Sequence, residues 1–321
     1  MLLISNDDIN QILTVSDCMG AQEAAFAGLP LGTSIQRPRI DVYAPAERND
    51  AYYRWSSMEG VTVAPGPYFA TRIKSDVVYW PRSADGRVTE QKYCGRPGLY
   101  YGLVMVFSTL DGRPLAMIND GVIQHMRVGA GAGIGARYLA REDAHSVGIL
   151  GSGGMARVYL EAFAAIRDIR KARVFSPNPT NRDAFACEMS RKLNIDVMAV
   201  DSAEAAVRGS DIVASCTDSM SPTLDADWLE PGMHVTNVGP AEISHACYAK
   251  FDVIYRQGDA GNSAEALAAN PRLMREVGQS PIAYVAGTEE EMLRLPPAAD
   301  KTRRGFGGAY PHVVDLITGQ D

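Results

Sequence analysis

Hydrophobic and polar positions change their rhythm along this chain, and the change divides it into two parts. From Lys171 onward short apolar runs alternate with longer segments of helical period. Ala172–Phe175, Ile195–Val200, Asp211–Cys216, Met233–Val238 and Val253–Tyr255 read as strands. Asn181–Leu193 reads as a helix between the first two, and Asp201 with Glu204 has the spacing of a capping box that opens a helix through Arg208. Such alternation predicts a parallel, doubly wound sheet, an α/β architecture.

The N-terminal part has a different texture. Ser16–Leu29 is helical in pattern. Short β-rich runs follow at Ile40–Tyr43, Val61–Val63, Tyr68–Lys74, Val77–Trp80 and Leu103–Ser108, with Asp85-Gly86 and Asp111-Gly112 among the turn signals between them. This predicts a separate mixed α/β domain. Met126–Leu139 is a glycine- and alanine-rich helix whose small side chains allow close packing. Near the C-terminus, Thr302–Gly319 carries Gly305, Gly307 and Gly308 and then an apolar VVDLI. It is expected to fold back on the first domain.

The segment joining the two parts carries the most specific chemistry. Ser146–Ala156 reads SVGILGSGGMA, an apolar strand ending in Gly151-Ser152-Gly153-Gly154-Met155-Ala156. This G-x-G-x-x-A pattern between a strand and a helix is the turn that holds a dinucleotide pyrophosphate. Gly151 permits the tight turn, Gly153 lets the backbone approach the phosphates, and Ala156 keeps the helix close to its strand. The first helical N–H groups then face the anion. Ligands of such sheets sit at the carboxyl ends of the strands, so this loop should share one rim with Cys216–Ser219, including Thr217, and with Asn237–Gly239, including Val238.

Composition narrows the partners. The chain has 321 residues, 46% of them hydrophobic, and a net charge of −7. Two domains with a sizeable core follow, and without any basic run neither nucleic acid nor an anionic membrane surface is an expected partner. The five cysteines, Cys18, Cys94, Cys187, Cys216 and Cys247, are scattered with no C-x-x-C pair. Reduced thiols are the simple reading, and neither a disulfide framework nor a metal site is expected. The N-terminal MLLISNDDINQIL has no basic n-region or cleavage pattern, and no run reaches the length of a membrane span, so a cytoplasmic location is expected.

Four segments together give a wider likeness: LLISNDDINQILTVSDCMGAQEAAF, Pro38-Arg39, Arg72-Ile73-Lys74 and IQHMRVGAGAGIGARYLAREDAHSVGILGSGGMA. With them the chain resembles the ornithine cyclodeaminase/mu-crystallin family over nearly its whole length. The resemblance implies a Rossmann dinucleotide-binding domain at residues 123–301. It also implies a substrate-binding and dimerisation domain at 1–122 plus 302–321, and a homodimer.

Three cations carry over by motif. Arg39 follows Pro38, where the family places a carboxylate-binding arginine. Lys74 sits in the family's G-x-K strand, and Arg127 matches the arginine of its I-T-x-x-R-T segment. Their chemistry agrees, because arginine grips a carboxylate with two parallel hydrogen bonds and a lysine beside the reacting nitrogen can move a proton. Arg37, two residues earlier and on the same strand face, competes with Arg39, and Arg54 is a further candidate. Gln124 and His125, beside Arg127, are candidates for tuning the substrate.

Departures from the family pattern matter equally. Asn237-Val238-Gly239 runs straight into Pro240-Ala241-Glu242-Ile243-Ser244, which shortens a loop and removes its proton-transfer aspartate. Either Glu242 or His245 replaces it, or Glu242 and Ser244 merely start the next helix. Val128 stands where the family has threonine. Extra sequence around Trp80–Gly98 contains Arg82, Arg87, Lys92 and Tyr93. It either reshapes the pocket or the dimer contact, or forms a plain surface hairpin, which is the default.

The cofactor follows from the end of the second strand. NAD binders usually carry a carboxylate there, and none occurs before Asp183. Ser176 and Asn178 can bind a 2′-phosphate and Arg182 can neutralise it, which favours NADP, with NAD as the alternative. The competing reading makes Pro177–Asn181 only a turn and Arg182 a surface charge. The expected activity is an NAD(P)-dependent oxidoreductase that reduces an imino acid (a ketimine or cyclic imine) to an amino acid, or the reverse. The alternatives are a cyclodeaminase-like lyase that releases ammonia and a mu-crystallin-like NADPH-binding protein.

Overall fold

The computed structural model describes residues 1–37, 39–48, 50–63, 66–84, 86–93, 101–239 and 242–254, and the backbone of 282–285. The expected C-terminal return over Thr302–Gly319 lies outside the described residues.

The N-terminal part builds a nine-stranded mixed sheet. Its strands are β1 (Leu2–Ile4), β2 (Ser34–Gln36), β3 (Ile40–Pro45), β4 (Ala51–Thr62), β5 (Tyr68–Tyr79), β6 (Gln91–Lys92), β7 (Gly102–Ser108) and β8 (Pro114–Asn119), joined at the edge by β14 (Ile282–Val285). The order is β1-β8-β7-β5-β4-β3-β14, with β2 on β4 and β6 on β5. Helices α1 (Asn6–Ile12) and α2 (Val15–Leu31) open with reciprocal capping boxes, Ser5 with Asp8 and Thr14 with Asp17.

Two of these strands are longer than the hydrophobic pattern predicts. Tyr68–Lys74 and Val77–Trp80 fuse into one continuous β5, and β4 begins ten residues before Val61. The cause is the same in both. Asp76 and Arg54 look like turn or surface residues in the sequence, yet they neutralise each other inside the protein, at 1% and 6% exposure. Polar positions therefore continue the strands instead of ending them.

Helix α3 (Asp120–Leu139) links the two sheets and starts six residues before the expected Met126. Its small residues allow the predicted close packing. A Cβ on Gly129 would meet the Val158 carbonyl carbon and oxygen of α4 (Gly154–Ile166) at 2.8 Å.

The second sheet is parallel throughout, in the order β11-β10-β9-β12-β13. Here β9 is Ser146–Leu150, β10 Lys171–Phe175, β11 Asp196–Ala199, β12 Ile212–Ser215 and β13 His234–Asn237. Every residue of β9 is buried, as a central strand covered on both faces should be. Ile149, Leu160, Phe163, Val174 and Phe185 are fully buried in its main core. Truncating Phe163 to Ala would cost about 3–5 kcal/mol through lost transfer energy and a cavity.

Helix α5 (Pro179–Leu193) ends where expected but starts two residues before Asn181, whereas α6 (Ala203–Val207) is capped differently. Ser202 is the cap, accepting from the Ala205 N–H at 3.1 Å. The helix thus starts one residue later than expected, and Glu204 cannot reach back as a capping box requires; it pairs with Arg208 instead. Val253 and Ile254 belong to no strand, and Tyr255 lies outside the described residues. Among the described residues no helix is long and apolar enough to cross a membrane. The fold is α/β: a Rossmann-type parallel sheet beside a mixed sheet.

Candidate active site

One face of the mixed sheet gathers the candidate cations. Alternation puts Arg72, Lys74 and Asp76 of β5 on the same side. Register adds their cross-strand neighbours, with Ser56 opposite Lys74 and Arg54 opposite Asp76. Gly102 of β7 also lies opposite Lys74, and a Cβ there would strike the Asp120 carboxylate at 2.8 Å. That missing side chain lets the first turn of α3 reach the sheet. Asp120 takes Arg72 in a two-pronged ion pair, Nε to Oδ1 at 2.8 Å and Nη2 to Oδ2 at 2.6 Å, and Gln124 accepts from Arg72 Nη2 at 2.5 Å. Arg72 is thus a structural cation fixing α3 to β5.

Lys74 is 7% exposed, with Nζ 3.0 Å from Asp76 Oδ2, and Arg54 Nη2 reaches the same oxygen at 2.8 Å. Burial, the nearby Lys92, and the Arg54 and Arg72 charges pull the lysine down to about 7, although Asp76 opposes them. Burial works against ionised Asp76 as well, yet Lys74 and Arg54 outweigh it and hold this carboxyl below its usual range. The result is an amine that exchanges a proton near neutral pH.

Arg127 is held differently. Gln22 of α2 donates to its carbonyl oxygen at 2.7 Å, which fixes this turn of α3. Its guanidinium has no protein acceptor among the described residues, and its Nε is buried without a partner. Burial, then Arg72 and Arg39, pull it down to about 10 against the attraction of Asp120. The side chain as a whole is half-buried, so a ligand anion can reach the guanidinium and satisfy its buried Nε.

Arg39 is in the same neighbourhood but already paired, with Nη2 2.8 Å from Asp41 Oδ2 and the side chain 40% exposed. Arg37 points to Glu59 and Ser57 and takes no part in the Lys74 network. Arg54, read from the sequence only as a further candidate, is central to it.

The parallel sheet assembles the expected rim, since β9, β12 and β13 are neighbours. Gly151 adopts φ 106°, and a Cβ on it would lie 2.3 Å from the Cys216 carbonyl oxygen. A Cβ on Gly153 would meet nothing within 4 Å. Gly153 caps α4 without any side-chain bond, so the first helical N–H groups keep their donors for a ligand. Ala156 is fully buried and Met155 packs on the core, which holds α4 against its strand. Gly154 abuts the His125 ring, where a Cβ would come within 2.8 Å, so α3 touches the start of this loop. These features fit a bound dinucleotide.

At the end of β10 the three expected phosphate ligands have protein partners. Ser152 donates to the Ser176 hydroxyl at 2.9 Å, and Asn178 caps α5 by accepting from the Asn181 N–H at 3.2 Å. Arg182 donates to the Ser176 carbonyl at 3.1 Å, pairs with Asp201, and is only 12% exposed. It is neither a free cation nor a surface charge.

Glu242 has a role that neither sequence reading anticipates. It is fully buried and accepts from five donors. Oε1 takes the Thr217 N–H at 2.6 Å, the Thr217 hydroxyl at 2.7 Å and the Ser215 hydroxyl at 3.1 Å. Oε2 takes the N–H groups of Val238 at 3.0 Å and Gly239 at 2.5 Å. The carboxylate ties the loops after β12 and β13 together rather than facing a substrate. Burial pushes it up against those hydrogen bonds. Ser244 alone matches the helix-start reading, capping α7 (His245–Tyr248). The side chain of His245 lies outside the described residues.

Comparison with known proteins follows this geometry. Residues 89–256 match the model of the ornithine cyclodeaminase/mu-crystallin family. A Delta(1)-pyrroline-2-carboxylate reductase of Bacillus cereus is 30% identical over 74% of this chain and 68% of its own length. A Rhizobium meliloti protein named as a dehydrogenase is 37% identical, but the match covers only 43% of this chain and 42% of the relative. Among solved structures, the Thermococcus litoralis Delta(1)-pyrroline-2-carboxylate reductase in complex with NADH and L-proline has a TM-score of 0.68 at 23% identity. It covers 99% of this chain and 98% of its own. With its parallel sheet, glycine loop and family-model match in agreement, the chain belongs to the ornithine cyclodeaminase/mu-crystallin family.

Proposed function

We propose that this protein is an NAD(P)-dependent oxidoreductase that reduces an imino acid, a ketimine or cyclic imine, to the amino acid, or catalyses the reverse. The observation that carries this reading is the half-buried Arg127 guanidinium, whose Nε is buried without a partner among the described residues and which shares Arg72 as a neighbour with Lys74. An anionic group on the substrate satisfies Arg127, and an amine titrating near neutrality stands close to the same cluster. A carboxylate next to an imine nitrogen has both complements.

The bound nicotinamide supplies or accepts the hydride. Arg127 holds the substrate carboxylate through parallel N–H donors, and Arg39 adds its charge from the pocket edge. Lys74 donates a proton to the imine nitrogen in reduction and takes one from the ammonium in oxidation. Glu242 keeps the loops of Thr217 and Gly239 fixed, and the bare N-terminus of α4 takes the pyrophosphate. Gly151 through Ala156, Cys216, Thr217, Val238 and Gly239 form the cofactor rim.

NADP is the cofactor in this reading and NAD the alternative. Arg182 lies beside Ser176 and Asn178, and its partner Asp201 is 97% exposed, so a 2′-phosphate can replace that exposed ion pair at little cost. The domain division at residue 122, the cytoplasmic location and the homodimer belong to the same reading. The imine reductase names among the relatives support the reaction class.

The test is nicotinamide absorbance with the purified chain, NADPH or NADH, and a panel of cyclic imines and of keto acids with amines. Oxidation of the reduced cofactor with one substrate class supports the proposal. Silence across the panel despite tight nucleotide binding rejects it.

A further inference from the structure

The stretch from Pro81 to Tyr93 has no role in the reaction outlined above. It folds back on itself, with the Ser83 N–H donating to the Arg87 carbonyl at 2.8 Å and Arg82 bridging Val88 antiparallel. It then pairs with the end of β5, Lys92 opposite Val78. It also grips the other sheet. The Glu90 N–H donates to the Asp218 carbonyl at 2.9 Å, and the Met220 N–H donates to the Val88 carbonyl at 2.9 Å. Thr89 bridges Ser219 between them. Residues 218–220 follow Thr217 on the cofactor rim. The default of a plain surface hairpin is therefore replaced by a strap across the two sheets.

The strap delivers two charges to the buried cluster. Lys92 Nζ lies 3.1 Å from Glu90 Oε1, and Arg54 Nη1 reaches that oxygen at 3.5 Å. With the pairs already described, charges alternate in one line: Lys74, Asp76, Arg54, Glu90, Lys92. Burial, Glu90, Tyr43 and Asp76 act on Arg54, and the anions prevail, so its charge is locked.

Among the described residues, the other charged or titratable groups facing this cluster come from three elements. Arg72 comes from the lysine's own strand, Asp41 and Tyr43 from β3, and Asp120 and His125 from α3. Lys92 also acts on His125, so it lies towards α3 and the glycine loop.

We infer that Glu90 and Lys92 are positioning residues for Lys74, brought into place by the docking of this hairpin on the cofactor rim. The inference rests on Lys74 acting at the substrate nitrogen as proposed above. Glu90 holds Arg54, and Arg54 fixes Asp76 against the amine. Lys92 places a like charge nearby and favours the neutral amine, as a second cation does in other amine-based sites.

The test reads the amine itself. In the full chain with lysines carrying ¹³C at the ε-carbon, Lys74→Arg identifies the Lys74 resonance, and its titration is followed by NMR. Lys92→Met is expected to raise the midpoint by about one pH unit, while Lys92→Arg leaves it unchanged. Glu90→Gln is expected to lower it, since an anion beside Lys92 and Arg54 is lost while both cations remain. A purely structural strap moves neither midpoint, or moves both the same way, and either result overturns the inference. Lys92→Met leaves Glu90 paired with Arg54, so this variant should fold and decides the question if Glu90→Gln does not. No substrate is needed, so absent turnover in the unmutated chain rejects the reaction assignment without touching this result.

Discussion

Lys74 and Asp76 lie two residues apart on one strand face, with Nζ 3.0 Å from Oδ2, and Arg54 shares that same oxygen. A carboxylate divided between two cations cannot fully hold either, and burial then leaves the lysine at about 7. The pH dependence follows with a definite sign. In the proposed reaction reduction draws on the ammonium, so kcat/KM for the imine should fall as pH rises through about 7. Oxidation needs the free amine, so kcat/KM for the amino acid should rise through the same window. Asp76→Asn removes an anion, should shift both limbs to lower pH, and should cut reductive kcat/KM by about 10- to 100-fold. Limbs that stay in place in this variant would show that Lys74 does not govern them. Stability follows the oxidative limb: folded Lys74 is neutral above about 7 while the unfolded lysine stays charged to about 10.4, so this group's contribution becomes more favourable as pH rises between those values.

Arg127 offers a sharper separation of function from structure. A guanidinium with partners stabilises a fold, and its loss destabilises it. This one has no acceptor among the described residues, so Arg127→Met should leave Tm unchanged or raise it. The same variant should lose about 100-fold in kcat/KM, roughly 3 kcal/mol, chiefly as a higher KM, with nucleotide Kd unaffected. Thermal melting and steady-state kinetics on one preparation settle both halves. A large fall in Tm would mark Arg127 as a structural residue.

Local patterns made the parallel sheet legible. β9 and β12 are short apolar runs, helices separate β9, β10, β11 and β12, and the glycine turn between β9 and α4 carries its own signature. The mixed sheet was harder to read because its chemistry is inside it. Arg54, Ser56, Lys74 and Asp76 break the hydrophobic alternation that marks a strand, yet all four are buried. Asp76 was within reach of the sequence, since a residue two positions from Lys74 must share its strand face. Glu90 was not, because its place depends on how the hairpin docks more than 120 residues away in sequence, at Asp218–Met220. Glu242 reads in the sequence as an acid or a helix start, since five converging donors leave no trace in local sequence.

Those five donors give Glu242 a testable weight. Glu242→Gln keeps the volume but replaces a charged acceptor, so bonds from Thr217, Val238 and Gly239 weaken or turn into donor–donor clashes. Stability should fall by about 1–3 kcal/mol in denaturant titration. Nucleotide affinity should fall with it, because the loops that lose their tie are those after β12 and β13. Unchanged nucleotide Kd would separate these loops from the cofactor.

Asp201 decides how Arg182 spends its charge. The pair is exposed on the aspartate side, so its own contribution to stability is small. Asp201→Asn frees Arg182 beside Ser176 and Asn178. If this corner takes a 2′-phosphate, the variant should bind NADPH several-fold more tightly and NADH no better. Fluorescence titration with both nucleotides distinguishes the cases. Equal Kd values in the unmutated chain, with no change in the variant, would remove the NADP preference.

Two glycines in one loop should fail in different ways. Gly151 has φ 106° and no room for a methyl group, with the Cys216 carbonyl oxygen 2.3 Å from where it would stand. Gly151→Ala therefore strains the backbone and pushes β12 away from β9, and should lower Tm as well as abolish nucleotide binding. Gly153 has an ordinary extended φ of −83° and open space in front of it. Gly153→Ala should melt within a degree or two of the unmutated chain. Its added methyl projects towards the place where a pyrophosphate would sit on the N-terminus of α4, so nucleotide affinity should fall by about tenfold or more. Calorimetry on the two variants tests the assignment directly. Normal nucleotide binding by Gly153→Ala would mean that the dinucleotide does not cross this helix end.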